Sequence, residues 1–361
     1  MVQKNKYAVI MAGGVGSRFW PVSTKQKPKQ FIDILGTGKS LIRQTYERFR
    51  KILPSENIYI VTNTQYVDLV REHIPEMELE QIVAEPFGKN TAPCIAYASY
   101  RIAKIDPDAV CVVAPSDHLI LNEDAFLEIC EGGMDFCSEH DALLCIGIKP
   151  HRPDTGYGYI QQREEPVTDN IHKVKTFTEK PSLELAQTFL DSGDFLWNAG
   201  IFIWNLESIL SAFETHLPEM NQLFVNAANT LGTNKETETI ASAYQMCTNI
   251  SIDYGVLEKA DNAFVYPGDF GWSDLGTWSS LYDVHKKDNN ENAINGKLVN
   301  AIDSRGNMIA VPDSKLVVVN GVENLIIVES EKVLLVCDRS REQEVKQIVT
   351  DIKLKYGEKF L

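Results

Sequence analysis

The stretch that most limits what this chain can fold into is Tyr7-Ala8-Val9-Ile10-Met11-Ala12, followed at once by Gly13-Gly14-Val15-Gly16-Ser17-Arg18-Phe19-Trp20-Pro21. The apolar run reads as a buried parallel strand. Gly13, Gly14 and Gly16 then open a loop whose backbone can approach a ligand closely and take positive φ. Amides exposed in such a loop form a concavity that suits anions. The charge pattern agrees: residues 1–32 hold Lys4, Lys6, Arg18, Lys25, Lys27 and Lys29 and no acid, in a chain of formal net charge −15. A basic glycine loop in an acidic protein is suited to a polyanion, although a glycine-rich turn after a strand can also be only a turn.

Two known phosphate loops are excluded by spacing. Phe19 stands where the dinucleotide fingerprint needs its third glycine, and Asp33 stands where a Walker A loop ending in Gly38-Lys39-Ser40 needs its first. Ser40 reads instead as a helix N-cap. A second basic cluster, Lys27-Pro28-Lys29-Gln30-Phe31, follows closely. Together, the glycine loop ending in Arg18 and this cluster resemble the nucleotidyltransferases that make sugar nucleotides, specifically the mannose-1-phosphate guanylyltransferases.

Composition narrows the class. A length of 361 residues suggests two domains, each with its own core. Hydrophobic residues at 44% and charged residues at 24% are ordinary for a soluble globular chain. No apolar run is long enough for a membrane span, and the N-terminal run is too short for a signal-peptide core. The acidic balance argues against broad nucleic-acid binding. Seven cysteines without a CxxC pair suggest neither a disulfide framework nor a zinc site, and Cys111 and Cys145 lie in apolar runs as small hydrophobes. The expected compartment is the cytoplasm.

Strand-like runs at 7–12, 57–62, 81–84, 109–114 and 142–148 alternate with helix-like stretches near 40–53, 64–74, 90–105 and 122–138. That alternation predicts an α/β fold, a Rossmann-like, mostly parallel sheet flanked by helices. Ligands in such sheets sit beyond the carboxyl ends of the strands. Glu85-Pro86-Phe87-Gly88-Lys89-Asn90 follows the third strand, where Asn90 is either a helix N-cap or a group that reads a nucleotide base. Pro115-Ser116-Asp117-His118 follows the fourth, with Asp117 either a turn residue or a metal ligand. His118 has no partner in motif spacing and reads as structural.

Beyond 149 come Thr155-Gly156-Tyr157-Gly158-Tyr159-Ile160, Phe177-Thr178-Glu179-Lys180-Pro181 and Phe195-Leu196-Trp197-Asn198-Ala199-Gly200. Several helices over 205–260 end in Ser251-Ile252-Asp253-Tyr254-Gly255-Val256, and Phe270-Gly271-Trp272-Ser273-Asp274 supplies another isolated carboxylate. The polar run 286–292 marks a linker. Short strands near 297–302, 307–311, 316–320, 324–329 and 332–337, separated by turn signals, predict a small β-solenoid or sandwich closed by an amphipathic helix over 340–356.

These segments match the family's motifs in order, and the resemblance implies roles for them. Gly13, Gly14, Gly16, Glu85 and Asn90 would bind the nucleotide; Gly156, Glu179, Asn198 and Asp253 would bind the sugar. Arg18, Lys29 and Lys180 would be catalytic, and Asp117 and Asp274 would hold Mg²⁺. Lys89 replaces the family's arginine, keeping the charge but losing any bidentate contact. The implied reaction joins GTP and mannose 1-phosphate into GDP-mannose, without nucleic-acid or membrane partners. The implied architecture is a catalytic domain over 1–286, with halves at about 1–148 and 149–286, then a short left-handed β-helix with its closing helix over 292–361. That domain is expected to serve structure and homodimer formation. Another base or hexose, or a silent sugar-nucleotide sensor, remains the alternative. Neutralising either aspartate is expected to change stability little, because removing a carboxylate from an acidic cleft without ligand relieves repulsion.

Overall fold

The structure is a computed structural model that describes residues 5–168 and 170–361, so Lys4 of the basic run lies outside the described residues. The first strands are β1 (Lys6–Ala12), β2 (Ile58–Asn63), β3 (Ile82–Glu85) and β4 (Val110–Pro115), with helices α1 (Leu41–Phe49), α2 (Val67–His73) and α3 (Thr91–Ala103) between them. Next come β5 (Leu119–Ile120), α4 (Glu123–Glu139), β6 (Leu143–Ile148), β7 (Tyr159–Thr168) and β8 (Ile171–Thr178). They lead to α5 (Leu183–Ser192), β9 (Phe195–Asn205), α6 (Leu206–His216), α7 (Pro218–Ala228) and α8 (Glu236–Met246). The chain continues through β10 (Ala263–Gly268), β11 (Trp272–Ser273) and α9 (Trp278–Val284). It ends in β12 (Ala293–Asn295), β13 (Val299–Ile302), β14 (Met308–Ala310), β15 (Val317–Asn320), β16 (Leu325–Ser330), β17 (Val333–Asp338) and α10 (Val345–Tyr356).

These elements form two compact units. The first comprises the chain up to Gly13, Thr45–Ser116 and Ile120–Trp272. Its nine-stranded sheet runs in the order β3-β2-β1-β4-β9-β6-β10-β8-β7. The first four strands are parallel, with β1 between β2 and β4, which explains why Ala8, Val9 and Ile10 are all apolar and fully buried. The mostly parallel sheet read from the sequence is interrupted by β9, which pairs antiparallel with both β4 and β6. β9 is entered from β8 through α5, and it also pairs antiparallel with β7. Tyr97, Phe213, Phe224 and Tyr244 from the helices join Val9, Cys111 and Phe202 from the strands in one core.

The second unit gathers Gly14–Gln44, Asp117–Leu119 and Ser273–Leu361. The units are thus interleaved along the chain, whereas the division expected from the polar run at 286–292 is linear. The reason lies in packing: Phe19, Ile32, Ile34 and Leu41 share a core with Leu275, Trp278, Met308 and Ile326. Strands β12, β14 and β16 stack in parallel, and β13 pairs in parallel with β15, giving the coils expected of a β-helix. Asn292 and Asn307 are fully buried at successive coils. Asn307 Nδ2 donates to Asn292 Oδ1 at 2.9 Å and Asn292 Nδ2 to the Ser304 carbonyl at 3.0 Å, which satisfies amides that burial would otherwise strand. No described helix is long and apolar enough to cross a membrane.

Candidate active site

The second unit holds the basic loop. Gly16 has φ 72° and precedes a short helical turn over Ser17–Phe19 that buries Phe19 and leaves Arg18 exposed. Only Gly16 of the three loop glycines takes positive φ. The Lys29 amide donates to the Val15 carbonyl at 3.1 Å, tying the second basic cluster to the loop. A Cβ at position 16 would lie 2.5 Å from Lys29 Cβ, so glycine is needed for this close approach as well as for its φ. Nearby, Asp33 accepts from the amides of Thr37 at 2.9 Å and Gly38 at 2.6 Å. Its own carboxylate occupies the turn that imitates a Walker A loop. Ser40 stands just before α1, but its buried hydroxyl makes no hydrogen bond among the described residues, so the expected side-chain cap is not formed.

Lys29 is the centre of this region. Its side chain is 4% exposed, and its ammonium lies 2.9 Å from Asp117 Oδ2 and donates to the Asp274 carbonyl at 2.8 Å. Residues 88 and 245 positions away in sequence thus meet one cation. The expectation that neutralising Asp117 only relieves repulsion is therefore corrected, because Lys29 already compensates its charge. Burial opposes ionisation of Asp117, yet Lys29 and then His118 hold its carboxyl below the usual value. Asp274 is presented by a strained turn. Leu275 has φ 45°, unusual for a bulky residue, and is held there by complete burial against Phe19 and Trp278. Asp274 Oδ1 accepts from the Gly276 amide at 3.0 Å.

Gly16, Arg18, Lys29, Asp117, Asp274 and Lys346 line one cleft of about 320 Å³. Among the described residues no group of three or more His, Cys, Asp or Glu side chains is placed to hold a metal. Two aspartates in one cleft supply hard oxygen donors that fit a divalent cation which takes its remaining ligands from phosphate and water. His118, read from the sequence as structural, also lines this cleft, and Lys346, from the first turn of α10, lines it while belonging to no motif. The roomier cavity in the first unit, about 500 Å³ beside Lys6, Asp108 and Asp135, opens where β1 and β4 begin and contains no motif residue.

The first unit carries the remaining candidates in two places. Glu85, at the end of β3, is 4% exposed; its Oε1 accepts from the Tyr244 hydroxyl at 3.0 Å, and Gly13 leaves room for its other oxygen. Burial raises its pKa to about 7 against the lowering effect of Tyr244. Asn90 has φ 71° and caps α3 by accepting from the Thr91 amide at 2.9 Å, while Lys89 donates to the Cys247 carbonyl at 3.0 Å. Neither Tyr244 nor Cys247 carries a sequence signal for these contacts.

At the other place, Asn198 Nδ2 donates to Asp253 Oδ1 at 2.8 Å, and the Asn198 amide donates to the Gly158 carbonyl at 2.8 Å. A register shift between Cys145 and Gly147 on β6 sets Gly147 opposite Asn198. Asp253 opens a single wide helical turn through Leu257 that closes with the Glu258 amide on the Asp253 carbonyl. Burial and then Glu179 push the Asp253 carboxyl up to about 6. Glu179 is ion-paired with the exposed Lys180, whose φ of 48° is uncommon for a lysine. Gly158, not Gly156, is the glycine whose missing side chain makes room for the Glu179 carboxylate, while the Gly156 amide donates to Asp154 at 2.8 Å.

Comparisons with known proteins agree with this geometry. A family model described as nucleotidyl transferase matches residues 7–291, and one described as a MannoseP isomerase/GMP-like beta-helix domain matches residues 296–352. A protein from Salmonella muenchen named mannose-1-phosphate guanylyltransferase is 35% identical, over 96% of this chain and 73% of its own length. One of the same name from Escherichia coli K12 is 33% identical over 98% of this chain and 74% of its own. Among solved structures, a protein from Thermus thermophilus named mannose-1-phosphate geranyltransferase superposes with a TM-score of 0.86 at 29% identity. The superposition covers 97% of this chain and 99% of that one. The matched model spans most of the sequence and the relatives nearly all of it, so the chain belongs to the nucleotidyl transferase family.

Proposed function

We propose that this nucleotidyltransferase joins GTP and mannose 1-phosphate to give GDP-mannose and diphosphate. A phosphate oxygen of the sugar phosphate attacks the α-phosphorus of GTP, forming one P–O bond as the bond to the β-phosphate breaks and diphosphate leaves. Bringing two polyanions together is the physical difficulty, and catalysis of this kind is mainly positioning and electrostatics. The observation that carries the reading is the Lys29 ammonium held against both Asp117 and Asp274 in a cleft that also contains Arg18. Arg18 is exposed there and makes no ion pair among the described residues, so its guanidinium is available to phosphate oxygens.

Asp117 and Asp274 are the residues that would hold Mg²⁺, which when bound neutralises phosphate charge. Lys29 pairs with the Asp117 carboxylate, holds the Asp274 backbone through its carbonyl, and adds its own charge. The amides following Gly13, Gly14 and Gly16 bind phosphate, and Glu85 and Asn90 address the base. Asn198, Asp253 and Glu179 accept from or donate to sugar hydroxyls near Gly156, and Lys180 meets the sugar phosphate. The strained φ of Lys180 and Leu275 supports functional roles for these two turns. All seven cysteines are free thiols, which suits a reducing cytoplasm.

The test is diphosphate release with all four nucleoside triphosphates, crossed with mannose, glucose and fucose 1-phosphates. GTP with mannose 1-phosphate is expected to lead. Binding of GDP-mannose without diphosphate release from any pair would make the chain a sensor, and a different leading pair would reassign base or hexose.

A further inference from the structure

The amphipathic helix α10 is built for more than closing the β-helix. Val345 is completely buried with Trp20, Leu335 and Leu361, and Ile348, Val349 and Ile352 pack on the same cluster at helical spacing. Three residues before Val345, Glu342 accepts from the Ser279 amide at 2.8 Å, in the first turn of α9. Packing and this hydrogen bond together fix where α10 begins. Lys346 is the next residue, and its side chain lines the cleft with Arg18, Lys29, Asp117 and Asp274.

A helical turn over Arg339–Glu344 runs directly into α10, with the Val345 amide donating to the Glu342 carbonyl, so Lys346 is held inside a continuous helical segment. Lys346 is exposed and forms no ion pair among the described residues. A phosphate in the cleft would meet the Lys346 ammonium together with the Arg18 guanidinium. Arg18, Lys29 and Lys346 outnumber Asp117 and Asp274, so this cleft in an acidic protein is locally cationic.

We propose that Lys346 binds the β- and γ-phosphates of the nucleoside triphosphate and, after reaction, the leaving diphosphate. The inference rests on the nucleotidyltransferase reading above, and it makes the C-terminal helix part of the substrate site. Lys346→Gln is expected to raise KM about tenfold for GTP in synthesis and for diphosphate in the reverse direction, and KM for mannose 1-phosphate and GDP-mannose should stay within about twofold, tenfold corresponding to about 1.4 kcal/mol. Lys346→Arg should recover most of the loss. The melting temperature of Lys346→Gln should hold, because the side chain replaced is exposed.

Calorimetric titration of the same three proteins with inorganic diphosphate gives a readout independent of turnover. Unchanged diphosphate affinity and KM in Lys346→Gln would overturn the proposal, as would an equal rise in all four KM values, which would indicate a structural role. Lys346-dependent diphosphate binding by a wild-type protein that transfers no nucleotide would sink the functional reading and leave this site standing. Full transfer with an indifferent Lys346→Gln would do the reverse.

Discussion

Asp253 sits where a carboxylate is costly, and burial together with Glu179 lifts its pKa to about 6. Its ionised form accepts hydroxyl protons best, and that form is lost as pH falls through this value. KM for mannose 1-phosphate should therefore climb below about pH 6 in the wild type and be high but flatter in Asp253→Asn. Because the substrate phosphate also titrates, the difference between the two profiles across this value is the readout, and parallel profiles would remove Asp253 from the sugar site. Asp117 shows the opposite shift, a pKa below the usual value, and its pair with Lys29 contributes stability that is present above the unfolded value and lost as pH falls. Asp117→Asn should accordingly raise the Mg²⁺ concentration needed for half-maximal activity and also lower the melting temperature, since it leaves a buried ammonium without its countercharge. A variant with the wild-type Mg²⁺ curve would show that Asp117 is not a ligand. These residues were legible from motifs alone; that a cation compensates Asp117 and none compensates Asp253 as closely was invisible, because the partner cation lies far off in sequence.

Among elements, the glycine loop offers the clearest contrast. Gly16 combines positive φ with the contact to Lys29 Cβ, whereas a Cβ on Gly14 would meet nothing within 4 Å. Gly16→Ala should cost at least about 1–3 kcal/mol in urea unfolding for the strained backbone alone, and displace Lys29 with it. Gly14→Ala should leave stability within about 0.5 kcal/mol. Equal stabilities for the two variants would mean the loop relaxes freely and does not position Lys29. The turn at Asp274 works by the same logic, with strain at Leu275 held by a completely buried side chain. Strands and helices of the first unit were legible to within a few residues because burial and period are local signals. The antiparallel insertion of β9 was not, since a run apolar on both faces looks alike in either direction.

At the scale of the whole molecule, the second unit exposes apolar side chains in a row along its coils. Leu298, Ile302, Leu316 and Val318, on or beside β13 and β15, are all more than 40% exposed. The homodimer expected from the sequence would need such a face, and its presence is open to a direct test. Sedimentation equilibrium should return twice the chain mass, and Leu316→Glu with Val318→Glu should return a monomer that keeps its melting temperature to within a few degrees. A wild-type monomer at micromolar concentration would discard the dimer.

The sequence alone determined the alternation of strands and helices, the short strands of the tail and the order of the site motifs, because each depends on residues within one turn or one strand. It also supplied the family, since the motifs are short and contiguous. Only the tertiary structure decided that Gly14–Gln44 and Asp117–Leu119 belong to the same compact unit as the tail. The same holds for Lys29 joining Asp117 to Asp274 and for Lys346 entering their cleft. Those facts depend on which buried faces find one another, and a contact spanning 245 positions leaves no periodic trace in the chain.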